Sequence, residues 1–222
     1  DTGEATVSAS SLTFTSSNWD TPQTITVTGI PDYSDDGDQT STVTVSVNDG
    51  SSDDDYDSLA DGTVSVTTTD IDAAPGLTVT QTGGSTSVNE ASSGNTDTFT
   101  VVLDMQPSPS NDVVVNVTSA DTGEATVSAS SLTFTSSNWD TAQTVTVTGV
   151  DEDLDDGDQT VALTIAVDDA SSYDPYDSVS NATVSVEVVD DDTVGFTLSG
   201  TTASVSETGS TATFTVVLDS EP

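Results

Sequence analysis

Residues 143–167 read QTVTVTGVDEDLDDGDQTVALTIAV. Val145 and Val147 alternate with threonines, and Leu163, Ile165 and Val167 alternate again. Between the two runs lie Asp151, Glu152, Asp153, Asp155, Asp156 and Asp158. Alternation with period two marks a strand that turns one apolar face to a core and one polar face to water. The stretch therefore predicts two half-buried strands joined by an acidic loop. The same pattern extends outward: Leu77 and Val79; Phe99, Val101 and Leu103; Val113, Val115 and Val117; Leu132 and Phe134; Val184, Val186 and Val188. Turns rich in Gly, Asp, Asn and Ser separate these runs at the spacing of a sandwich. Val and Thr dominate throughout, so no helical stretch competes. The predicted fold class is all-β, with tandem immunoglobulin-like Greek-key β-sandwich repeats.

The tandem arrangement is visible in the sequence itself. Residues 1–29 recur at 121–149 with 27 of 29 positions identical, a period of 120 residues. The repetition continues through DDGDQT at 35–40 and 155–160, and closes near Asp70 and Asp72 in one copy and Asp190, Asp191 and Asp192 in the other. The front of the unit, GLTVTQTGGSTSVNEASSGNTDTFTVVLD at 76–104, returns as GFTLSGTTASVSETGSTATFTVVLD at 195–219. These boundaries predict the later part of one repeat in 1–73, a complete repeat in 74–192 and the first part of the next in 193–222. The abrupt start at DTGEAT predicts a window cut from a longer array.

The 222 residues include 39 Asp and Glu but no Lys, Arg, His or Cys, for a formal charge of −39. Two carboxylates about 4 Å apart repel by roughly 4 kcal/mol at an effective dielectric near 20, so clustered acids need a counter-charge from solution. Without basic residues, neither nucleic acid nor an anionic membrane surface is a partner. Thiolate and imidazole sites for zinc or haem are excluded by composition. A serine nucleophile has no His or Lys to activate it. Paired-carboxylate glycosidase chemistry is the one enzymatic route left, and acids this numerous are more simply solvated or metal-bound, so the chain is expected not to be an enzyme. No run of more than three apolar residues occurs, which predicts neither a membrane-spanning helix nor a signal-peptide core. Disorder is the rival for so acidic a chain; strict alternation argues for folding once divalent cations are present.

The acids are bunched at the ends of predicted strands. Asp151–Asp158 follow TVTVTG, Asp190–Asp192 follow VSVEVV, Glu90 lies in the first strand region, in SVNEASSG, and Glu124 lies in the turn TSADTGEAT. Loops distant in sequence meet at one end of a Greek-key sandwich, so convergence of these four segments would build an oxygen cage. Calcium suits it: the ion takes six to eight oxygens in irregular geometry, where magnesium demands an octahedron. Diffuse screening of a halophile surface is the alternative, but it predicts acids spread evenly over the strand faces, which instead carry Ser and Thr.

Three motifs in order, SVNE before TFTVVLD, GEATVSASSLTF followed by QTVTVTGVDEDLDDGD, and a terminal VSVEVVDDD, resemble the Calx-beta domain. That family comprises calcium-binding immunoglobulin-like modules of sodium/calcium exchangers, integrin β4 and large bacterial surface proteins. The resemblance spans the whole complete repeat. It implies calcium ligands at Glu90, Glu124, Asp151, Glu152, Asp156, Asp190, Asp191 and Asp192. In the partial repeats the same carry-over reaches Glu4, Asp32, Asp36, Asp70 and Asp72, and then Glu207. Departures from the family pattern are Gln159, where the loop often ends in a glutamate, and Pro31, Tyr33 and Ile71 in the first copy. They predict weaker binding in that copy.

The expected function is structural: a segment of a long calcium-stabilised extracellular fibre, stalk or adhesin, at the cell surface or in a secreted filament. Its partners would be neighbouring repeats or subunits of the same protein. A calcium-dependent module that binds a surface glycan or protein, with Trp139 stacking on sugar, is the alternative; a Trp covering the sandwich edge is the plainer role for that residue. Strand exchange between chains is a further possibility, set against one covalent array. The array is favoured because joined end fragments lack a counterpart of NDVVVNVTSA. The loops SSDDDYDS (51–58) and SSYDPYDS (171–178) either add acids to a cage or stay solvated.

Overall fold

A computed structural model describes residues 1–91 and 95–222, which divide into two compact units, Asp1–Ala74 and Pro75–Pro222. The first unit holds β1 (Ala5–Val7), β2 (Val27–Gly29), β3 (Gln39–Val45) and β4 (Gly62–Thr68). The second holds β5 (Leu77–Gln81), β6 (Thr86–Asn89), β7 (Thr96–Leu103), β8 (Val113–Ser119), β9 (Ala125–Val127), β10 (Ser131–Phe134), β11 (Gln143–Gly149), β12 (Gln159–Val167), β13 (Ala182–Val189), β14 (Phe196–Leu198) and β15 (Val216–Leu218).

Strands β5 to β13 form the sandwich. One sheet has the order β5-β7-β11-β9 and the other β10-β8-β12-β13-β6. Consecutive strands cross repeatedly between the sheets, and all pairs are antiparallel except β13 with β6. Every alternating run falls on a strand with its apolar members inward: Phe99 and Val101 on β7, Val113 and Val115 on β8, Val145 and Val147 on β11, and Leu163 and Ile165 on β12 are all 0% exposed. Burying one such side chain contributes roughly 1.5–3 kcal/mol. Strands β6 and β9 are too short to show alternation and were not expected from it.

A second contribution to the core comes from the 171–178 loop. Pro175 lies in the first turn of a short 3-10 helix, Asp174–Ser178, which drives Tyr176 into full burial. The Tyr176 hydroxyl donates to the Met105 carbonyl and accepts from the Met105 N–H at 3.3 Å. The loop is thus a core plug. Trp139 also packs against the core, and its carbonyl accepts the Leu103 N–H at 3.2 Å.

In the first unit, β1 pairs with β2 and β3 with β4. These correspond to β9, β11, β12 and β13 of the sandwich at the 120-residue period, yet their apolar faces are open. Phe14 is 54% exposed where its counterpart Phe134 is 0%, and Val64 is 55% exposed where Val184 is 1%. Near-identical sequence packs differently because the strands that face it in the sandwich have no counterpart among residues 1–74. Strands β14 and β15 form an antiparallel pair with Leu198 opposite Val216, and their apolar residues are likewise exposed.

Candidate metal centre

Four backbone devices bring the acids of residues 74–192 together at one end of the sandwich. Glu90 leaves the end of β6, and its N–H donates to the Val189 carbonyl on β13 at 3.1 Å. The end of β6 also lies against β11 at Gly149, where an added β-carbon would sit 2.1 Å from the Asn89 carbonyl oxygen. Only glycine allows that approach, so Gly149 sets the position from which Glu90 projects. Gly157, at φ +79°, turns the acidic loop in a left-handed conformation. Its N–H reaches the Asp190 carboxylate at 2.7 Å, and the Asp192 N–H reaches the other oxygen of that carboxylate at 2.8 Å. Glu124 is tied in by its carbonyl, which accepts the Val150 N–H at 2.9 Å.

The result is two trios of carboxylates that share Glu90. One oxygen each from Glu90, Asp190 and Asp192 lie within 4.8 Å of one another, and so do oxygens from Glu90, Glu152 and Asp156. Glu90 is 0% exposed. Both its carboxylate oxygens are buried without a hydrogen-bond partner, as are Glu124 Oε2 and Glu152 Oε1. A buried ionised carboxylate without a partner costs several kcal/mol, and this chain has no cationic side chain to offset it. The donors are all hard oxygens in an irregular cluster, which is the coordination calcium accepts. Glu90, Glu152, Asp156, Asp190 and Asp192 are the residues that could hold a cation there.

Protonation follows the same physics. Burial, and then the negative charges of Glu124 and Asp190, push the Glu90 carboxyl up to about 7. Burial and Asp156 raise Glu152; burial and Asp191 raise Asp192. For Glu90 the native state holds its proton more tightly than the unfolded chain, whose value is 4.5. The associated stability is present below that value and is lost as pH rises through about 7. In chelator, the melting temperature is therefore expected to fall between pH 5 and pH 8. Saturating calcium should flatten or reverse that slope, because the ion takes the proton's place. Calorimetric scans across that range check both signs.

The remaining expected residues are placed as follows. The Asp151 and Asp191 side chains are exposed and belong to neither trio, and Glu124 lies beside Glu90 without completing one. Asp153 and Asp155 face the next segment instead. The Asp153 carbonyl accepts the Glu221 N–H, and the Asp155 carboxylate accepts the Val194 N–H, each at 2.6 Å. Leu154 also forms a parallel bridge with Glu221. In the first unit, Glu4, Asp32 and Asp36 form a third trio within 4.8 Å. Asp70 there accepts N–H groups from Gly37 and Asp72, at 2.7 and 2.8 Å. Those bonds, the Asp72 one first, hold its carboxyl below the usual range, while burial and Asp70 raise Asp72. Burial, and then Asp32, raise Glu4. Glu207 is exposed and belongs to none of the three trios. Sequence reasoning missed the positioning roles of Gly149 and Gly157; the invariant place of glycine in DDGD, at 37 and 157, was the available signal for the second.

No protein-family model matches the chain. No curated protein matches it either. Among solved structures, it is similar to domains 4–9 of the surface layer protein SbsC at 25% identity and a TM-score of 0.39, over 78% of this chain and 21% of that one. It is similar to SbsC domains 4 and 5 at 28% identity and a TM-score of 0.33, over 60% of this chain and 61% of that one. The apo-form Calx CBD1 domain matches at 18% identity and a TM-score of 0.34, over 52% of this chain and 98% of that one. The chain spans about a fifth of the length of the first of these.

Proposed function

We propose that residues 74–192 form one calcium-stabilised structural repeat of a long extracellular fibre, stalk or adhesin, with residues 1–73 and 193–222 belonging to its neighbours. The observation that carries this reading is the burial of Glu90 with both oxygens unpartnered at the meeting point of two carboxylate trios. In a chain without Lys, Arg or His, that group is neutralised either by a proton or by a metal cation from solution, and above about pH 7 the cation is the stronger candidate. Calcium at millimolar concentration, as outside cells, is matched to oxygen cages of this kind.

The second element of the function is stiffness. The loop that supplies Glu152 and Asp156 also binds the following segment, through the Asp153 carbonyl and the Asp155 carboxylate. Cations held by the trio of Glu90, Glu152 and Asp156 and by the trio of Glu90, Asp190 and Asp192 would tie that loop to the end of β13 through Glu90 and lower the repulsion across the exit of the repeat. Small-angle scattering on the 222-residue chain tests this. In calcium the maximum dimension should be well defined and independent of ionic strength. In chelator it should broaden and respond to salt, as self-repulsion is screened. Identical scattering in the two conditions would overturn the stiffening role.

A further inference from the structure

We propose that the Asp156–Gly157 peptide is a site of spontaneous backbone isomerisation which the native acidic loop holds off, so that opening the loop ages the repeat irreversibly. The chemistry follows from the pair itself. An Asp side-chain carboxyl is one five-membered ring away from the nitrogen of the next residue, and Gly157 has no β-carbon to crowd that nitrogen. When the nitrogen loses its proton and attacks the Asp156 Cγ, the N–Cγ bond forms, the carboxyl hydroxyl leaves with the proton as water, and a succinimide closes. Water then adds back at either carbonyl. Opening at the main-chain carbonyl leaves the backbone running through Cβ and Cγ, with the former α-carbonyl carbon as the free carboxylate. The mass is unchanged, the main chain is one methylene longer, and no oxidant or reductant is consumed.

Asp–Gly occurs at 36–37, 49–50, 61–62 and 156–157, and the fold treats these pairs differently. Asp156 is exposed, so water reaches it. The Gly157 N–H donates to Asp190 Oδ2 at 2.7 Å, while a carboxylate oxygen of Asp156 lies within 4.8 Å of oxygens of Glu90 and Glu152. Nitrogen and carboxyl thus face different partners, and the attack requires both to be released. Asp190 is itself fixed: it accepts the Asp192 N–H at 2.8 Å, and its own N–H donates to Asp158 Oδ1 at 3.2 Å. Deprotonating Gly157 beside the Asp190 carboxylate also brings two negative charges together, which Coulomb repulsion opposes. The arrangement recurs at Asp36–Gly37, where Gly37 stands at φ +77° and its N–H meets Asp70 Oδ2 at 2.7 Å. Asp49–Gly50 lies instead in a short 3-10 turn with no buried residue, and serves as the unguarded reference. A cation on Asp156 and Asp190 holds the same two groups apart; this part of the inference rests on the proposed function above. Once isomerised, Asp156 carries its carboxylate on a lengthened backbone, so its trio with Glu90 and Glu152 is not rebuilt when the cation returns.

The full chain is incubated for weeks at neutral pH in calcium, in chelator, and in urea with chelator. Isoaspartate is counted by enzymatic methyl transfer and located by electron-transfer fragmentation of peptides, which distinguishes the two backbones. The folded chain reacts only through local opening, so the isomer at 156 is expected to form at least about tenfold more slowly in calcium than in urea, with chelator between them. Asp190→Ala should bring the folded chain to within about threefold of the urea rate at 156, since the guard on the nitrogen is gone, and leave the rate at Asp49 unchanged. Asp156→Glu should abolish the signal at this position, because closure would then need a six-membered ring. Hydrogen exchange at the Gly157 amide of the parent chain keeps the test independent of either variant: exchange and isomerisation should speed up together from calcium to chelator. Equal isomerisation at 156 in calcium and in urea, or none in any condition, would overturn the proposal. Calorimetry on the same samples measures calcium binding. Binding with the same rate in calcium and chelator overturns the cation's part in the protection alone; no binding, with Asp190→Ala still releasing the reaction, overturns the calcium reading and leaves the guarded site standing.

Discussion

Replacing Glu90 by Gln is expected to stabilise the protein in chelator and destabilise it in calcium. In the metal-free state above about pH 7, where Glu90 is ionised, the substitution removes a buried charge that faces Glu124, Asp190 and Glu152. That should raise stability by about 1–3 kcal/mol, the scale of relieving one uncompensated buried group. In calcium, the substituted amide offers one neutral oxygen where Glu90 offers two charged ones to both trios. Breaking a buried charge arrangement from one side costs about 3–5 kcal/mol, so the calcium-loaded variant should melt below the calcium-loaded parent. Urea unfolding of parent and variant, with and without chelator, gives four midpoints. The expected pattern is a crossing. Loss of stability in both conditions would mean that Glu90 is a packing residue; no change in either would mean that it is solvated.

Truncating Tyr176 to Ala is expected to cost about 3–5 kcal/mol with and without calcium alike. The ring is fully buried, so truncation loses transfer energy and leaves a cavity. It also strands the Met105 N–H and carbonyl, both of which now bond to the phenol. The same loop in the first unit gives the control: Tyr56 occupies the equivalent place at 59% exposure, and Tyr56→Ala should change stability by no more than about 0.5 kcal/mol. Unfolding midpoints of the two variants in calcium and in chelator decide the matter. A Tyr176 effect that appears only in calcium would tie the loop to the metal centre and contradict its placement as a core plug.

The contrast between Tyr176 and Tyr56 also shows what a sequence can and cannot carry. Period-two alternation is a direct consequence of strand geometry, so Val113, Val115 and Val117 announce β8 without reference to anything else. Strand β6 is only four residues long; the region ahead of Glu90 was legible as a strand, but its parallel pairing to β13, about a hundred residues away, leaves no local trace. Burial is harder still. Phe14 and Phe134 sit in identical surroundings in sequence, and only the facing strands decide which one is inside. At the candidate site, the bunching of acids at strand ends pointed to four segments, and of these the fold brings Glu90, Glu152, Asp156, Asp190 and Asp192 together. The exposure of Asp151 and Asp191 was not legible, because the backbone path of each acidic segment, and not its composition, decides which carboxylates turn inward. Tyr176 was hidden in a loop whose acids drew attention away from its aromatic residue.

Calorimetric melting of residues 74–192 in calcium, in magnesium and in chelator tests the central claim most directly, since an ion bound only by the native state raises stability in proportion to RT ln(1 + [L]/Kd). At about a hundredfold over Kd the gain is about 2.7 kcal/mol, or on the order of 10 °C for a domain of this size. The account predicts a rise of that order in calcium, a much smaller one in magnesium, and the lowest melting temperature in chelator. A melting temperature that is the same in all three would contradict it.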